Sequence, residues 1–282
     1  MELTFISTNN IKLHVVQAGP ETGELVILLH GFPEFWYGWR RQIPFLAKAG
    51  YRVWVPDQRG YNESDKPQGI AAYALDQLAG DVIGLIDAAG QEKAILIGHD
   101  WGAAVCWWTA ARYPKRISRM IVMNVPHGMV MRKHLLSNFS QMLKSWYIFF
   151  FQLPWLPETL ARANNWQAAF QAFLRSSRPG TFSTEDLEKY RQAWSQPGAY
   201  TSMVNWYRAL VQKIPELPAD LRIHVPTLLI WGAHDKFLSR EMAQPSIDYC
   251  DDGQLVFIEE ATHWVQHEEA ERVNALIGNF LR

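Results

Sequence analysis

The sequence predicts an α/β fold: a mostly parallel central sheet with helices on both faces, interrupted by one long helical insertion. Three observations predict it. Short, continuous apolar runs at 25–29, 94–97, 120–123, 227–231 and 255–258 have the character of strands buried on both faces. Segments of helical spacing separate most of these runs, which is the alternation of a parallel sheet. Between 127 and 219 strand-like runs stop, and aromatic residues and helical patches take over.

In chain order, residues 4–6 and 12–16 flank the turn-prone pair Asn9-Asn10 and predict an opening antiparallel hairpin. The strand at 25–29 ends in His30-Gly31-Phe32-Pro33-Glu34. Residues 51–56 are the next strand, and the charged loop 57–65 is expected to pin its own turns through side-chain to backbone hydrogen bonds. Leu75, Leu78, Val82, Leu85 and Ile86 recur at helical spacing and predict a helix over 73–89. The strand at 94–97 then passes through Gly98-His99-Asp100-Trp101-Gly102 into another helix. After the strand at 120–123, helices are predicted over 140–151, 184–195 and 200–212, before strands resume at 226–231 and 255–258. The domain reading is a core of 1–126 and 220–282 with a helical cap, 127–219, inserted between its parts. No repeat or low-complexity segment is present.

The turn at Asp100 sets the chemistry. A strand entering a helix through a sharp turn, with small residues two places either side of a reactive one, resembles the nucleophile elbow of the α/β-hydrolase fold. The central residue here is Asp, not Ser. A carboxyl group with a reference pKa of ~3.9 is already a nucleophilic anion at neutral pH and needs no base for its first attack. On an acyl carbon it would give only an anhydride, so its useful targets are saturated carbons bearing a leaving group: an epoxide or an alkyl halide. Either yields an ester on the protein, and hydrolysing that ester requires a histidine base.

In such hydrolases the chain order is nucleophile, acid, histidine. Asp235 follows the strand at 226–231 and His263 follows the strand at 255–258, so both fall at the carboxyl edge of the sheet with Asp100. Asp235 would orient the imidazole, leaving the other nitrogen to activate water. His267 is the rival base but falls inside the expected last helix; Glu259 and Glu260 are rival acids but share the histidine's own loop. The other position at which some hydrolases place the acid is Asn124, which is neutral. Backbone N–H groups of Phe32 and Trp101 are the expected oxyanion hole.

Composition narrows the function classes. A net charge of −1 over 282 residues gives no whole-molecule field to draw nucleic acid or anionic lipid. The apolar stretch 146–151 is far shorter than the ~20 residues of a membrane span, and no membrane partner is expected. The first residues, Met1-Glu2-Leu3-Thr4-Phe5, carry no basic-then-apolar leader pattern, so the expected location is cytoplasmic. Cys106 and Cys250 are expected as unpaired buried thiols, and no metal or organic cofactor is implied. Thirteen tryptophans, several between 146 and 206, suit the wall of an apolar cavity.

With these residues in place the chain resembles, over essentially its whole length, the epoxide hydrolases of the α/β-hydrolase fold. The likeness is strongest at HGFPE (His30 to Glu34), at GHDWG (Gly98 to Gly102) and around Asp235 and His263. Haloalkane and fluoroacetate dehalogenases share those motifs, so the insertion must decide the leaving group. Opening an epoxide produces an alkoxide with the proton affinity of hydroxide; a tyrosine at ~10, set against water at ~15.7, protonates it with about 8 kcal/mol of driving force. Halide leaves without a proton. Epoxide hydrolases carry two such tyrosines, and Tyr147-Ile148-Phe149-Phe150-Phe151-Gln152 and Asn205-Trp206-Tyr207-Arg208 match both of their segments. Fluoroacetate dehalogenases have Trp at the position of Tyr147, His at Trp146, and arginines at Trp101 and Ala104; all four differ here.

The resemblance implies an apolar epoxide and water as substrates, with Asp100, Asp235, His263, Tyr147 and Tyr207 catalytic. Trp36, Phe151 and Trp206 are the expected substrate contacts, with Phe149, Phe150 and Trp155 as further wall candidates. A haloalkane or haloacid dehalogenase is the competing enzyme, told apart by halide release. A ligand receptor on a hydrolase scaffold is the competing non-enzyme, and it would not need the intact triad. Oligomeric state is left open.

Overall fold

Asn9 and Asn10 adopt left-handed φ angles of 41° and 61°, the pair that a tight hairpin turn requires, and join β1 (Glu2–Thr8) antiparallel to β2 (Ile11–Ala18). The computed structural model describes residues 1–282. It continues through β3 (Leu25–Leu29), β4 (Arg52–Pro56), β5 (Ala94–His99), β6 (Ile117–Met123), β7 (Thr227–Gly232) and β8 (Gly253–Ile258). The eight strands lie in the order β1-β2-β4-β3-β5-β6-β7-β8, and every pairing from β4 to β8 is parallel. This is the mostly parallel α/β sheet that the apolar runs predict, in the α/β-hydrolase fold whose elbow the turn at Asp100 resembles.

Helices cover both faces because alternate strand residues face opposite ways. Val26 and Leu28 pack with α1 (Gln42–Lys48) and α12 (Ala270–Leu281) on one side. Leu25, Ile27 and Leu29 pack with α2 (Leu75–Ala88) and α3 (Trp101–Arg112) on the other. All five residues of β3 are buried, so each contributes about 1.5–3 kcal/mol of transfer free energy to this double core. The chain goes from β3 to β4 on one side and returns to β5 on the other, leaving the carboxyl ends of β3 and β5 adjacent at the switch point where α/β sheets bind ligands.

Six helices stand between β6 and β7: α4 (Gly128–Ser137), α5 (Phe139–Lys144), α6 (Trp146–Phe150), α7 (Leu156–Ser176), α8 (Thr184–Trp194) and α9 (Ala199–Gln212). The single helix expected over 140–151 is two, separated at Ser145. No periodicity announces α7, because it is broken internally: Asn164, Asn165 and Trp166 have φ of 48°, 55° and 67°. The helix over 184–195 starts as its sequence asks, with a capping box between Ser183 and Asp186. The C-terminal part adds α10 (Ala243–Ile247) and α11 (Val265–Glu268) before α12.

The loop after β4 is structural, as expected. Asp57 accepts from the Trp36 N–H at 2.9 Å and from Asn62 Nδ2 at 2.8 Å, and Asp65 accepts from the Lys12 N–H at 2.8 Å. Cys106 and Cys250 are free and buried. No helix is long and apolar enough to cross a membrane.

Candidate active site

The carboxyl ends of β3 and β5 meet at Asp100. Asp100 joins β5 to α3 with φ 48° and ψ −122°, a conformation that an L residue adopts only when its surroundings enforce it. Three glycines make room for it here. A Cβ on Gly98 would collide with the backbone of Gly102, one on Gly102 with the Leu29 carbonyl, and one on Gly31 with the Asp100 side chain itself. The turn therefore thrusts the carboxylate out of the sheet edge and against the loop that follows β3.

That loop holds one carboxylate oxygen. The Phe32 N–H donates to Asp100 Oδ1 at 2.7 Å, and Trp101, the other predicted oxyanion donor, is the first residue of α3, where a helix leaves its N–H groups free. The second oxygen, Oδ2, lies 3.5 Å from His263 Nε2, and His263 Nδ1 is 2.7 Å from Asp235 Oδ2. Asp235 also accepts from the backbone N–H groups of Phe237 and Leu238, at 2.7 and 2.9 Å. The three residues picked out from strand ends thus stand in one line.

Asn124, noted in the sequence only for its lack of charge, braces this line. Its Nδ2 donates to Asp235 Oδ2 at 2.8 Å and its Oδ1 accepts from the Gly232 N–H at 3.0 Å. Its own φ is 55°, which asparagine tolerates better than most residues. The rivals are occupied elsewhere. His267 Nε2 is 2.7 Å from Glu34 Oε1 while its Nδ1 accepts from Arg40 at 2.9 Å, so neither ring nitrogen is left for water. Glu259 pairs with Arg240 and Glu260 with Arg272 at the surface.

Charges in the line support one another. Burial disfavours a charged His263, yet Asp235 and Asp100 outweigh it and push the imidazole up to about 10. Burial likewise works against ionisation of Asp100, but His263 and the Phe32 N–H hold it below the ordinary carboxylate value. Asp235 is held low for the same reason, with Asn124 and the Leu238 N–H assisting.

Behind the histidine lies a buried Glu34 that no sequence signal beyond the HGFPE motif picks out. It accepts from the Tyr190 hydroxyl at 2.7 Å, from His267, and from Gln266 Nε2 at 3.1 Å. Burial opposes its charge, but His267 and His99 keep its carboxyl well below the usual range. His99 Nε2 reaches the His263 carbonyl at 2.8 Å, so the network braces the backbone of His263.

Tyr147 on α6 and Tyr207 on α9 come together over this edge, with ring centroids 5.8 Å apart. Tyr207 also packs against Trp101 at 5.0 Å, Phe32 at 5.1 Å and Phe151 at 4.8 Å. Burial raises both phenols, and the Asp100 charge is the next largest influence on each; no hydrogen bond from the protein contributes for Tyr147. The two tyrosine helices are tied together. Gln152 Nε2 donates to the Tyr207 carbonyl at 2.9 Å and Arg208 Nε to the Phe151 carbonyl at 3.0 Å, while Arg208 pairs with buried Glu158 at 2.8 Å.

Of the expected substrate contacts, Phe151 joins the tyrosines, and Trp206 packs on Trp101 at 5.5 Å with its Nε1 donating to the Arg59 carbonyl. The ring contacts of Trp36 are with Phe35 and Tyr37. Phe150 is half-buried beside Phe151. Phe149 and Trp155 are corrections, at 66% and 69% exposure: Phe149 lies off the face of α6 that buries Ile148, and Trp155 is the left-handed residue before α7. A cleft of about 990 Å³ lined by Gln152, Trp155, Arg162 and Gln212 includes none of the triad or tyrosine side chains. No group of His, Cys, Asp and Glu side chains has a metal-binding arrangement.

Comparison with known proteins points the same way. The family described as alpha/beta hydrolase fold matches residues 24–270. The AB hydrolase superfamily protein YfhM of Bacillus subtilis is 50% identical over 279 residues, spanning 99% of this chain and 97% of that one. Human Epoxide hydrolase 4 is 40% identical, spanning 98% of this chain and 77% of the relative. The crystal structure of a point mutant of a Bacillus megaterium epoxide hydrolase, complexed with its product (R)-3-[1]naphthyloxy-propane-1,2-diol, superposes with a TM-score of 0.90 at 30% identity over 99% of both chains.

Proposed function

The chain belongs to the epoxide hydrolases of the α/β-hydrolase fold, and from that premise we propose that it converts an apolar epoxide and water to a vicinal diol through an ester on Asp100. The observation that carries the reading is the asymmetry of that carboxylate. Oδ1 rests on the Phe32 N–H, and Oδ2 faces His263 under Tyr147 and Tyr207.

Oδ2 attacks a ring carbon while Tyr147 and Tyr207 donate to the epoxide oxygen, so that the C–O bond breaks to a neutral alcohol. As the Asp100 charge is consumed, one cause of the raised phenol pKa values disappears, and both acids strengthen when the alkoxide develops. Oδ1 becomes the ester carbonyl, already held by the donor that stabilises the oxyanion of the next step. The ester no longer carries the carboxylate that helped to hold His263 up to about 10, so the imidazolium gives up its proton through solvent, making good the one the phenol lost, and the neutral imidazole takes a proton from water with Asp235 behind it. Attack of that water restores Asp100 and releases the diol. The helices between β6 and β7 act as the cap. Phe151 and Trp206 supply apolar walls, which favour aryl-bearing epoxides such as the parent of the naphthyloxy diol bound by the Bacillus megaterium relative.

The test is a trap. His263→Gln leaves the attack intact and stops ester hydrolysis, so mass spectrometry after incubation with an aryl glycidyl ether finds substrate attached at Asp100. An unmodified protein after that incubation rejects the two-step scheme.

A further inference from the structure

The outer side of the insert is built inside out. Along α5 and α6, polar Gln141 and Ser145 are fully buried and bonded to one another at 2.9 Å, with Gln141 also reaching the Phe237 carbonyl. Phe139, Met142, Leu143, Trp146 and Phe149 are instead 71%, 44%, 59%, 62% and 66% exposed, and Leu136 at the end of α4 is 77% exposed. Within α5 the spacing of Phe139, Met142 and Leu143 puts them on one face, and within α6 Trp146 and Phe149 share a face, since residues three and four apart are neighbours on a helix. A surface helix of a globular protein turns such a face inward; here it turns outward, so packing against the chain's own core does not account for it. Exposed apolar patches of this kind mark contact surfaces.

Charge identifies the contact. Residues 128–162 contain the cations Arg132, Lys133, Lys144 and Arg162 and one carboxylate, Glu158, which is buried against Arg208. Of these cations Arg132 and Lys133 on α4 are exposed, Lys144 on α5 bonds Ser239 at 3.1 Å, and Arg162 lines the separate cleft on α7, while α4, α5 and α6 carry no carboxylate at all; the helices that bear the exposed apolar residues are therefore cationic, a segregation that the whole-chain charge of −1 conceals. Large aromatics and leucines beside lysine and arginine are the composition of helices that lie in the interface of an anionic bilayer, apolar face among the acyl chains and cations at the headgroups. A second copy fits less well, because a two-fold contact on this face would set like charges against one another.

We propose that the α5–α6 face docks the protein peripherally onto an anionic lipid surface. The docking is a binding event and does not depend on the reaction assigned above. Vesicle flotation with the full chain tests it, using phosphatidylcholine vesicles with and without phosphatidylglycerol. The protein floats with the anionic vesicles, and raised salt releases it. The exposed substitutions Phe139→Ser and Leu143→Ser together abolish flotation while leaving the thermal midpoint and the turnover of a water-soluble epoxide unchanged. Arg132→Gln with Lys133→Gln lowers the partition coefficient about 25-fold, taking each cation at the membrane surface as about fivefold. Protein that stays in the buffer with both vesicle types overturns the proposal, as does a Phe139→Ser/Leu143→Ser protein that floats as well as the parent. Light scattering completes the test: absence of flotation together with a dimer that the same double substitution dissociates assigns the face to self-association instead.

Discussion

Gly31 shows how little space the Asp100 carboxylate has. A methyl group there meets the Asp100 carboxyl, so Gly31→Ala displaces the reacting oxygen by a fraction of an ångström. We expect kcat/KM to fall about 100-fold, the usual effect of misplacing a reacting group on this scale, with a far smaller change in thermal midpoint. Stopped-flow tryptophan fluorescence under single-turnover conditions checks a second expectation, about His263. Its pKa of about 10 belongs to a state with two ionised carboxylate neighbours, and the proposed ester on Asp100 would remove one. Ester hydrolysis should therefore rise with pH along a limb centred below 10, while alkylation shows no such limb. Coinciding limbs for the two steps would remove the base role from His263. Asp100, Asp235 and His263 are legible in the sequence because each ends a recognisable strand. The bracing roles of Asn124, whose position after a strand was itself legible, and of Glu34 are not, because they depend on which of many partners more than 60 residues distant the fold delivers, such as Asp235 and Gln266.

At the scale of elements, the strands were readable since burial on both faces makes them continuously apolar. The insert was readable only in part. Its helices pack on aromatic residues from the core and from one another, and α7 breaks at Asn164 to Trp166, so no single period survives along it. The tie between α6 and α9 has a testable consequence. Arg208→Met leaves Glu158 buried without its partner, which costs about 3–5 kcal/mol in urea unfolding. It also frees the Phe151 carbonyl and loosens the spacing of Tyr147 and Tyr207, so alkylation slows more than ester hydrolysis does. Equal slowing of both steps would mean that the tie serves stability alone.

For the whole molecule, stability should peak near pH 6.5 and decline on either side, as urea midpoints across pH will show. Desolvation holds His30, His127 and His267 below their ordinary value of 6.5, so folding favours their neutral forms and that contribution is lost as pH falls below 6.5. Glu34, Asp100 and Asp235, all held low, withdraw theirs at still more acid pH, below the carboxylate values of an unfolded chain. His263 works in the other direction: its contribution is complete below 6.5 and disappears as pH climbs towards 10. The two sulfhydryls provide an independent gauge of the same transition. Cys106 and Cys250 are 0% and 8% exposed, and burial pushes both thiols up, Cys250 to about 11, so the reactive thiolate is scarce as well as hidden. Each intact copy thus carries its own tamper seal: a maleimide counts none while the sheet stays closed and two once it opens, and the speed of that count clocks how often the chain comes apart.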